Sequence, residues 1–314
     1  MKRSTRSAVT LSALAISALA LTACTGSATP GSTSGASSNT ADINYHAAAG
    51  DADKTLADML PAAVSDKGTL VIATDATIGE PFASYDTDGV TIVGIVPDLA
   101  YAMGDALGVD VELRQVVFAN LIPGLAAERY DFSLAPMLDT AERQEQVDFI
   151  DYLRGGSQFI VAKDDADAPK NLSPETACGL AIGVTTGSVE EISLTEQNEV
   201  CTAAGKPAIE ILSYKTNNEG ILALTSGRID AYGTAAAQGG YIAQTDNDRL
   251  TLSGEPFRGG LSGMAFPKTS ELLPVIQATL QKFIDDGVYE QILTTYGVQQ
   301  LAVPMAGKNN EAME

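Results

Sequence analysis

Residues 120–131 (NLIPGLAAERYD) and 218–230 (NEGILALTSGRID) follow one grammar. In each, an asparagine able to cap a helix leads into an apolar run, then a turn, then an aspartate at the head of a strand. A supersecondary unit used twice predicts two similar α/β lobes in one chain.

The flanking sequence extends each unit. Upstream of the first, residues 69–73 (TLVIA) are a β-branched run of strand type. Pro97-Asp98 starts a helix with Leu99, Met103 and Ala106 on one face, and Gly108 stops it. Residues 109–117 return as a strand, Asn120 caps a helix over 121–128, and residues 130–134 form the next strand. A short helix around residues 54–64 precedes all of this. In the second lobe, residues 179–184 are a strand, the segment after Gly187-Ser188 is a helix, and residues 209–213 are a strand. Asn218 then caps a helix ending at Gly227, and residues 229–232 follow as a strand. Residues 156–161 carry the chain into this lobe and 263–266 bring it back. Leu273, Ile276, Leu280 and Phe283, then Tyr289, Ile292, Leu293 and Tyr296, lie at helical spacing. These C-terminal helices are expected to pack on the first lobe, making it discontinuous.

The N-terminus carries an address. Lys2, Arg3 and Arg6 form a basic region, and sixteen uncharged residues, 8–23, follow. That run is shorter than the ~20 residues a spanning helix needs, so it reads as a signal peptide. It ends in Leu21-Thr22-Ala23-Cys24, which looks like a bacterial lipobox with Cys24 as the lipid-bearing residue. Residues 25–41 (TGSATPGSTSGASSNTA) are small and polar and read as a tether. The expected organisation is a signal peptide over 1–23, a tether over 24–52, lobe 1 over 53–157 and 263–314, and lobe 2 over 158–262.

Charge and cysteine content narrow the function classes. Loss of residues 1–23 removes three positive charges and takes the formal net charge from -21 to -24. So acidic a surface excludes nucleic acid, whose phosphates need Lys and Arg. It also disfavours adsorption to an anionic membrane, which leaves attachment to the lipid. With Cys24 lipidated, Cys178 and Cys201 remain. In an oxidising compartment they predict a disulfide worth ~3 kcal/mol in the chain-entropy model. The single histidine, His46, lies near the tether, so no metal site and no cofactor are expected.

The order and spacing of TLVIATDATIGEPFASYDTDG, IVGIVPDLAYAMGDALGV, FANLIPGLAAERYDFSLAPMLDTAERQEQVDF, GLAIGVTTGSVEE, LALTSGRIDAY and LQKFIDDGVYEQILTTYG resemble family 3 extracellular solute-binding proteins. These are the amino-acid type that serves bacterial ABC importers. The resemblance covers residues 68–300. It implies an α/β chain with the type II periplasmic-binding-protein fold, two α/β lobes joined by two hinge strands and closing around one small solute.

The resemblance also assigns residues. Arg143 matches the arginine that holds the ligand carboxylate, a geometry suited to the guanidinium fork. Phe118 matches a residue packed on the ligand, Phe82 lies near the usual aromatic, and Met137 falls in the same pocket set; both phenylalanines could equally be core. Gly187-Ser188 resembles a turn whose backbone N–H groups open a helix toward an anion. Asp75 matches a position that meets a polar or basic ligand side chain, or else satisfies the turn after the first strand.

Departures concentrate at the ligand. The acid expected five residues after Asp230, for the ligand ammonium, is Ala235. Leu138 and Val189 replace hydroxyl residues, and Ile78 replaces an aromatic ahead of a one-residue insertion near Glu80. A buried ammonium without a carboxylate costs several kcal/mol. Either the ligand keeps its carboxylate but lacks an α-amino group, or Asp75, Glu80 or Asp139 takes the ammonium. The departures lean toward the first.

The resulting expectation is a monomeric, lipid-anchored extracytoplasmic receptor. It would deliver an amino acid or related carboxylate to a permease, without catalysis. The alternatives are a carboxylate-processing enzyme on the same scaffold, and a sensing or structural envelope lipoprotein.

Overall fold

The computed structural model describes residues 52–311. Cys24, His46, the signal peptide and all but the last residue of the expected tether lie outside the described residues.

Residues 54–64 form two one-turn helices, α1 (Lys54–Ala57) and α2 (Ala62–Ser65), rather than one. Pro61 lies between them, and a proline cannot donate the backbone bond a continuous helix needs. The first lobe follows with β1 (Thr69–Thr74), a small hairpin of β2 (Ser84–Tyr85) and β3 (Ile92–Val93), and α3 (Ile95–Leu107). Gly108 ends α3 in the left-handed conformation, and β4 (Asp110–Gln115), α4 (Leu121–Ala126), β5 (Phe132–Leu138) and α5 (Ala141–Gln144) come next. The sixteen-residue strand β6 (Val147–Ala162) leads out of this lobe. The second lobe holds β7 (Ala181–Thr185), α6 (Val189–Ala203), β8 (Glu210–Tyr214), α7 (Asn217–Thr225), β9 (Ala231–Ala235) and α8 (Ala236–Thr245). The return strand β10 (Leu250–Pro267), α9 (Leu273–Asp286) and α10 (Val288–Thr295) complete the chain.

One eight-stranded sheet runs β4-β1-β5-β10-β6-β9-β7-β8. β1 pairs in parallel with β4 and β5, and β7 in parallel with β8 and β9, so each lobe has the same three-stranded parallel core. The antiparallel pair β6 and β10 runs through both lobes and supplies the two hinge strands. Where they cross, Arg154, Gly155 and Gly156 lose full burial and β10 shifts register around Phe257, Gly260 and Gly263. Such bulges bend a strand and re-aim its side chains.

Each lobe has its own core. In the first, Leu70, Ile72, Leu99, Met103, Phe132, Ile276, Leu280 and Phe283 are buried, and Phe132 stacks on Phe266 at 4.8 Å. α9 and α10 thus supply first-lobe core from the C-terminal end. In the second, Phe159, Ile182, Val184 and Leu194 pack on one face of the sheet, and Ile160, Leu224, Ile229 and Tyr232 form a separate cluster. Cys178 and Cys201 form a disulfide, with Cα atoms 5.7 Å apart, that ties the end of α6 to the segment before β7.

The repeated unit has a packing basis in both lobes. Gly124 and Gly220 are the positions where a Cβ would collide with Tyr130 and Tyr232 respectively. The Tyr130 hydroxyl donates to the carbonyl of Leu121, and that of Tyr232 to Asn217 Oδ1 at 2.6 Å. Neither asparagine caps as expected. Asn120 makes no side-chain cap bond, and Thr216, not Asn218, caps α7 through the Glu219 N–H.

Candidate functional site

A cavity of about 220 Å³ lies between the lobes. Lobe 1 contributes Thr77, Ile78 and Phe82 from the segment after β1, Phe118, Pro136 and Leu138 of β5, and Arg143. Lobe 2 contributes Thr185, Ser188, Val189, Glu190, Asn217 and residues 233–238. Ser157 and Ser262 line it from the hinge strands.

Arg143 is 7% exposed. The one-turn helix α5 positions it, with Thr140 accepting from its backbone N–H at 3.3 Å. Its Nη1 donates to Leu138 O at 2.7 Å, and its Nη2 reaches the second lobe, donating to Gly187 O at 3.0 Å. The guanidinium carbon is 5.7 Å from the centre of the Phe118 ring. Burial lowers its pKa, opposed first by the charge of Glu190. An arginine keeps its charge through such a shift, so the cleft holds a fixed cation with N–H donors left for a carboxylate.

Asp75 is 1% exposed, and its carboxylate is committed to the protein. Oδ1 accepts from Thr77 N at 2.9 Å, Thr77 Oγ1 at 2.7 Å and Gln115 Nε2 at 2.9 Å, while Oδ2 accepts from Phe118 N at 2.8 Å. Of its two expected roles, the structure favours bracing the turn after β1, with Phe118 held by the same group. Phe82 is 2% exposed and reaches the cavity wall from the core.

Met137 does not line the cavity. Pro136 and Leu138 face the cleft on β5, and strand alternation turns Met137 the other way, where it is 1% exposed. Gly187 is not on the wall either. At φ +77° it makes the turn into α6, its N–H donates to Glu191 Oε2 at 2.6 Å and its carbonyl accepts from Arg143. Its amide is therefore spent, whereas Ser188 lines the cleft and caps α6 through Glu191 N.

The other two acids considered for an ammonium are occupied away from the cavity wall. Glu80 accepts from the Tyr241 hydroxyl of the second lobe. Asp139 accepts from Gln144 Nε2 at 2.8 Å and lies in hydrogen-bonding contact with Asp151. Ala235, Leu138, Val189 and Ile78 all line the cavity, so the positions that depart from the family pattern are wall positions.

Glu190 is a charged wall residue that sequence reasoning missed. It is 5% exposed and accepts from Ser157 Oγ at 2.5 Å. The signal was the pair Glu190-Glu191 opening a helix: Glu191 completes the cap, which leaves its neighbour to face elsewhere. Asn217, also missed, donates from Nδ2 to Ile78 O across the cleft at 2.9 Å. Among the described residues no cluster of three side chains could hold a metal ion.

A family model described as bacterial extracellular solute-binding proteins, family 3, matches residues 70–299. The chain belongs to this family. It is 32% identical to the arginine-binding protein ArgT of Corynebacterium glutamicum over 243 residues, 77% of this chain and 78% of that protein. It is 30% identical to the histidine-binding periplasmic protein of Escherichia coli, covering 72% of this chain and 86% of that one. Among solved structures it resembles an ancestral arginine-binding protein bound to arginine, at 35% identity and TM-score 0.65, over 73% of this chain and 98% of that one. The family is extracellular by its description, and no helix of the described residues is long and apolar enough to cross a membrane.

Proposed function

We propose that this protein captures an amino acid in the cleft and delivers it, unchanged, to the permease of an ABC importer. The observation that carries this reading is Arg143. It is a buried guanidinium beside an aromatic ring that reaches from one lobe to the backbone of the other. A carboxylate entering between the lobes meets that fork, and closure dries the pair and strengthens it. Relatives named for arginine and histidine binding support an amino acid over other carboxylates. The lobes would divide near residues 157 and 262, with β6 and β10 flexing where their register shifts. Anchoring through Cys24 rests on the lipobox-like LTAC and the tether that follows it.

The test is mass spectrometry of the membrane-purified, full-length protein and of the small molecule released from it. The expected result is a diacylglyceryl adduct on Cys24 and one L-amino acid recovered intact. Re-adding that amino acid should raise the melting temperature, since ligand at a hundred times its Kd stabilises by about 2.7 kcal/mol. Chemical conversion of the amino acid on incubation, or no melting shift with any amino acid, would contradict the reading.

A further inference from the structure

Family 3 proteins that bind amino acids are expected to present an acid where this chain has Ala235. We propose that Glu190, supplied from the first turn of α6, receives the α-ammonium of the solute in its place. The inference rests on the reading of the cleft as an amino-acid site, and it names the half of the ligand that Arg143 does not hold.

The placement follows from the register of the second lobe. Ser157 of β6 lies directly opposite Ala235 of β9, and opposed residues share one face of a sheet. Gly233, two residues before Ala235, presents the same face by alternation. Glu190 covers that face. Its Cβ and Cγ lie 3.3 and 3.4 Å from where a Cβ on Gly233 would stand, and its Oε1 accepts from Ser157 at 2.5 Å. The missing side chain of Ala235 and the carboxylate of Glu190 thus converge on one patch of the wall. Gly233 also leaves room for the Glu190 stem to lie against the strand.

The bonding of Glu190 is incomplete for a buried acid. Among the described residues its one side-chain hydrogen bond comes from a neutral hydroxyl, and the Arg143 guanidinium across the cleft acts on it through its charge without a direct ion pair. A buried carboxylate so sparsely partnered is costly, and a cationic nitrogen in the cavity it lines would relieve that cost. Asp75, Glu80 and Asp139 are each committed to other groups. The arrangement also gives amine recognition a part in closure. Arg143 stands on the first lobe and Glu190 on the second, so a zwitterion joins them, whereas a carboxylate without an amine engages only the first.

The test is titration calorimetry on the full-length protein. The probe is the tightest binder among the L-amino acids, paired with its analogue lacking the α-amino group. The wild-type protein should prefer the amino acid by at least about thirtyfold, the equivalent of ~2 kcal/mol for a buried charge pair. Glu190→Gln should weaken the amino acid by about the same factor and leave the analogue within about threefold. Adding Ala235→Asp to Glu190→Gln should recover much of the loss. Equal wild-type affinity for the two probes, or a Glu190→Gln variant that loses both probes equally or neither, would overturn the assignment while leaving the amino-acid site standing. A wild-type protein that binds no amino acid would overturn both. The wild-type comparison needs no variant, so misfolding of Glu190→Gln cannot hide the answer.

Discussion

Asp75 shows how a charged residue in a binding cleft can serve the wall rather than the ligand. Four donors converge on its carboxylate, and one is the backbone N–H of Phe118, the ring beside Arg143. Asp75→Ala would leave at least two backbone N–H groups without their acceptor in partly buried surroundings. Each such group costs about 1–3 kcal/mol. Chemical denaturation should therefore show Asp75→Ala less stable by at least ~2 kcal/mol; unchanged stability would contradict the bracing role. At this scale the sequence was half legible. Arg143 stands out because the residues around it form a recognisable motif. Whether Asp75 served the turn or the ligand depended on Gln115 and Phe118, forty and more positions away.

At the scale of elements, the end of β5 and the hinge strand β6 bring two carboxyl groups together. Asp151 is fully buried, and burial first, then the charge of Asp139, pushes its pKa up to about 7. One oxygen of each carboxyl has no donor among the described residues, so a proton shared between them satisfies both. The other Asp151 oxygen accepts from Asn310 N at 2.8 Å, and its own N–H donates to Gly307 O, which fastens the C-terminal segment to the hinge strand. The nearby charge of Glu311 pushes the same way.

An acid whose folded pKa is raised binds more protons folded than unfolded between about 4 and 7, so its effect on stability turns unfavourable as pH rises through that window. The protein should lose stability between pH 5 and pH 8, on the order of a few kcal/mol from this pair. Asp151→Asn should flatten that slope and raise the melting temperature at pH 8. An unaltered slope would contradict the shared proton. The lowered acids do not confuse the window, because their contribution is lost only as pH falls below their unfolded values, 3.8 for the aspartates and 4.5 for the glutamates.

Elements were more legible than their ends. The strands and helices of both repeats appear in the expected order, because their apolar spacing is set by burial on the sheet. α8 was not foreseen: its sequence, AAQGGYIAQT, carries two glycines that weaken intrinsic helix preference, and its contacts with β6 and β10 compensate. That helix begins directly after Ala235, so the position that looked like a bland alanine run is a strand-to-helix junction on the cavity wall. Asn218 does not cap because a threonine two residues earlier already serves α7, whereas Asn120 occupies the cap position of α4 without a side-chain bond.

At the scale of the whole molecule, two lobes built on one grammar meet across a cleft through few direct bonds. Arg143 to Gly187, Asn217 to Ile78 and Tyr241 to Glu80 cross it, and each joins a lobe-1 group to a lobe-2 group. The cavity between them is walled mainly by small or apolar residues, and its charged lining residues are Asp75, Arg143 and Arg154 from the first lobe and its hinge strand and Glu190 from the second. Two-lobe architecture was legible from the repeated units in the sequence. The charge arrangement was not, because it depends on how β6 sets Ser157 against Ala235 and brings α6 over Gly233.

The most direct test of this account is the affinity of Arg143→Ala for the amino acid that binds the wild-type protein, measured by titration calorimetry. Removing the guanidinium from a buried carboxylate pair should cost at least ~2 kcal/mol, about thirtyfold in Kd. A folded Arg143→Ala protein that binds the same amino acid with wild-type affinity would contradict it.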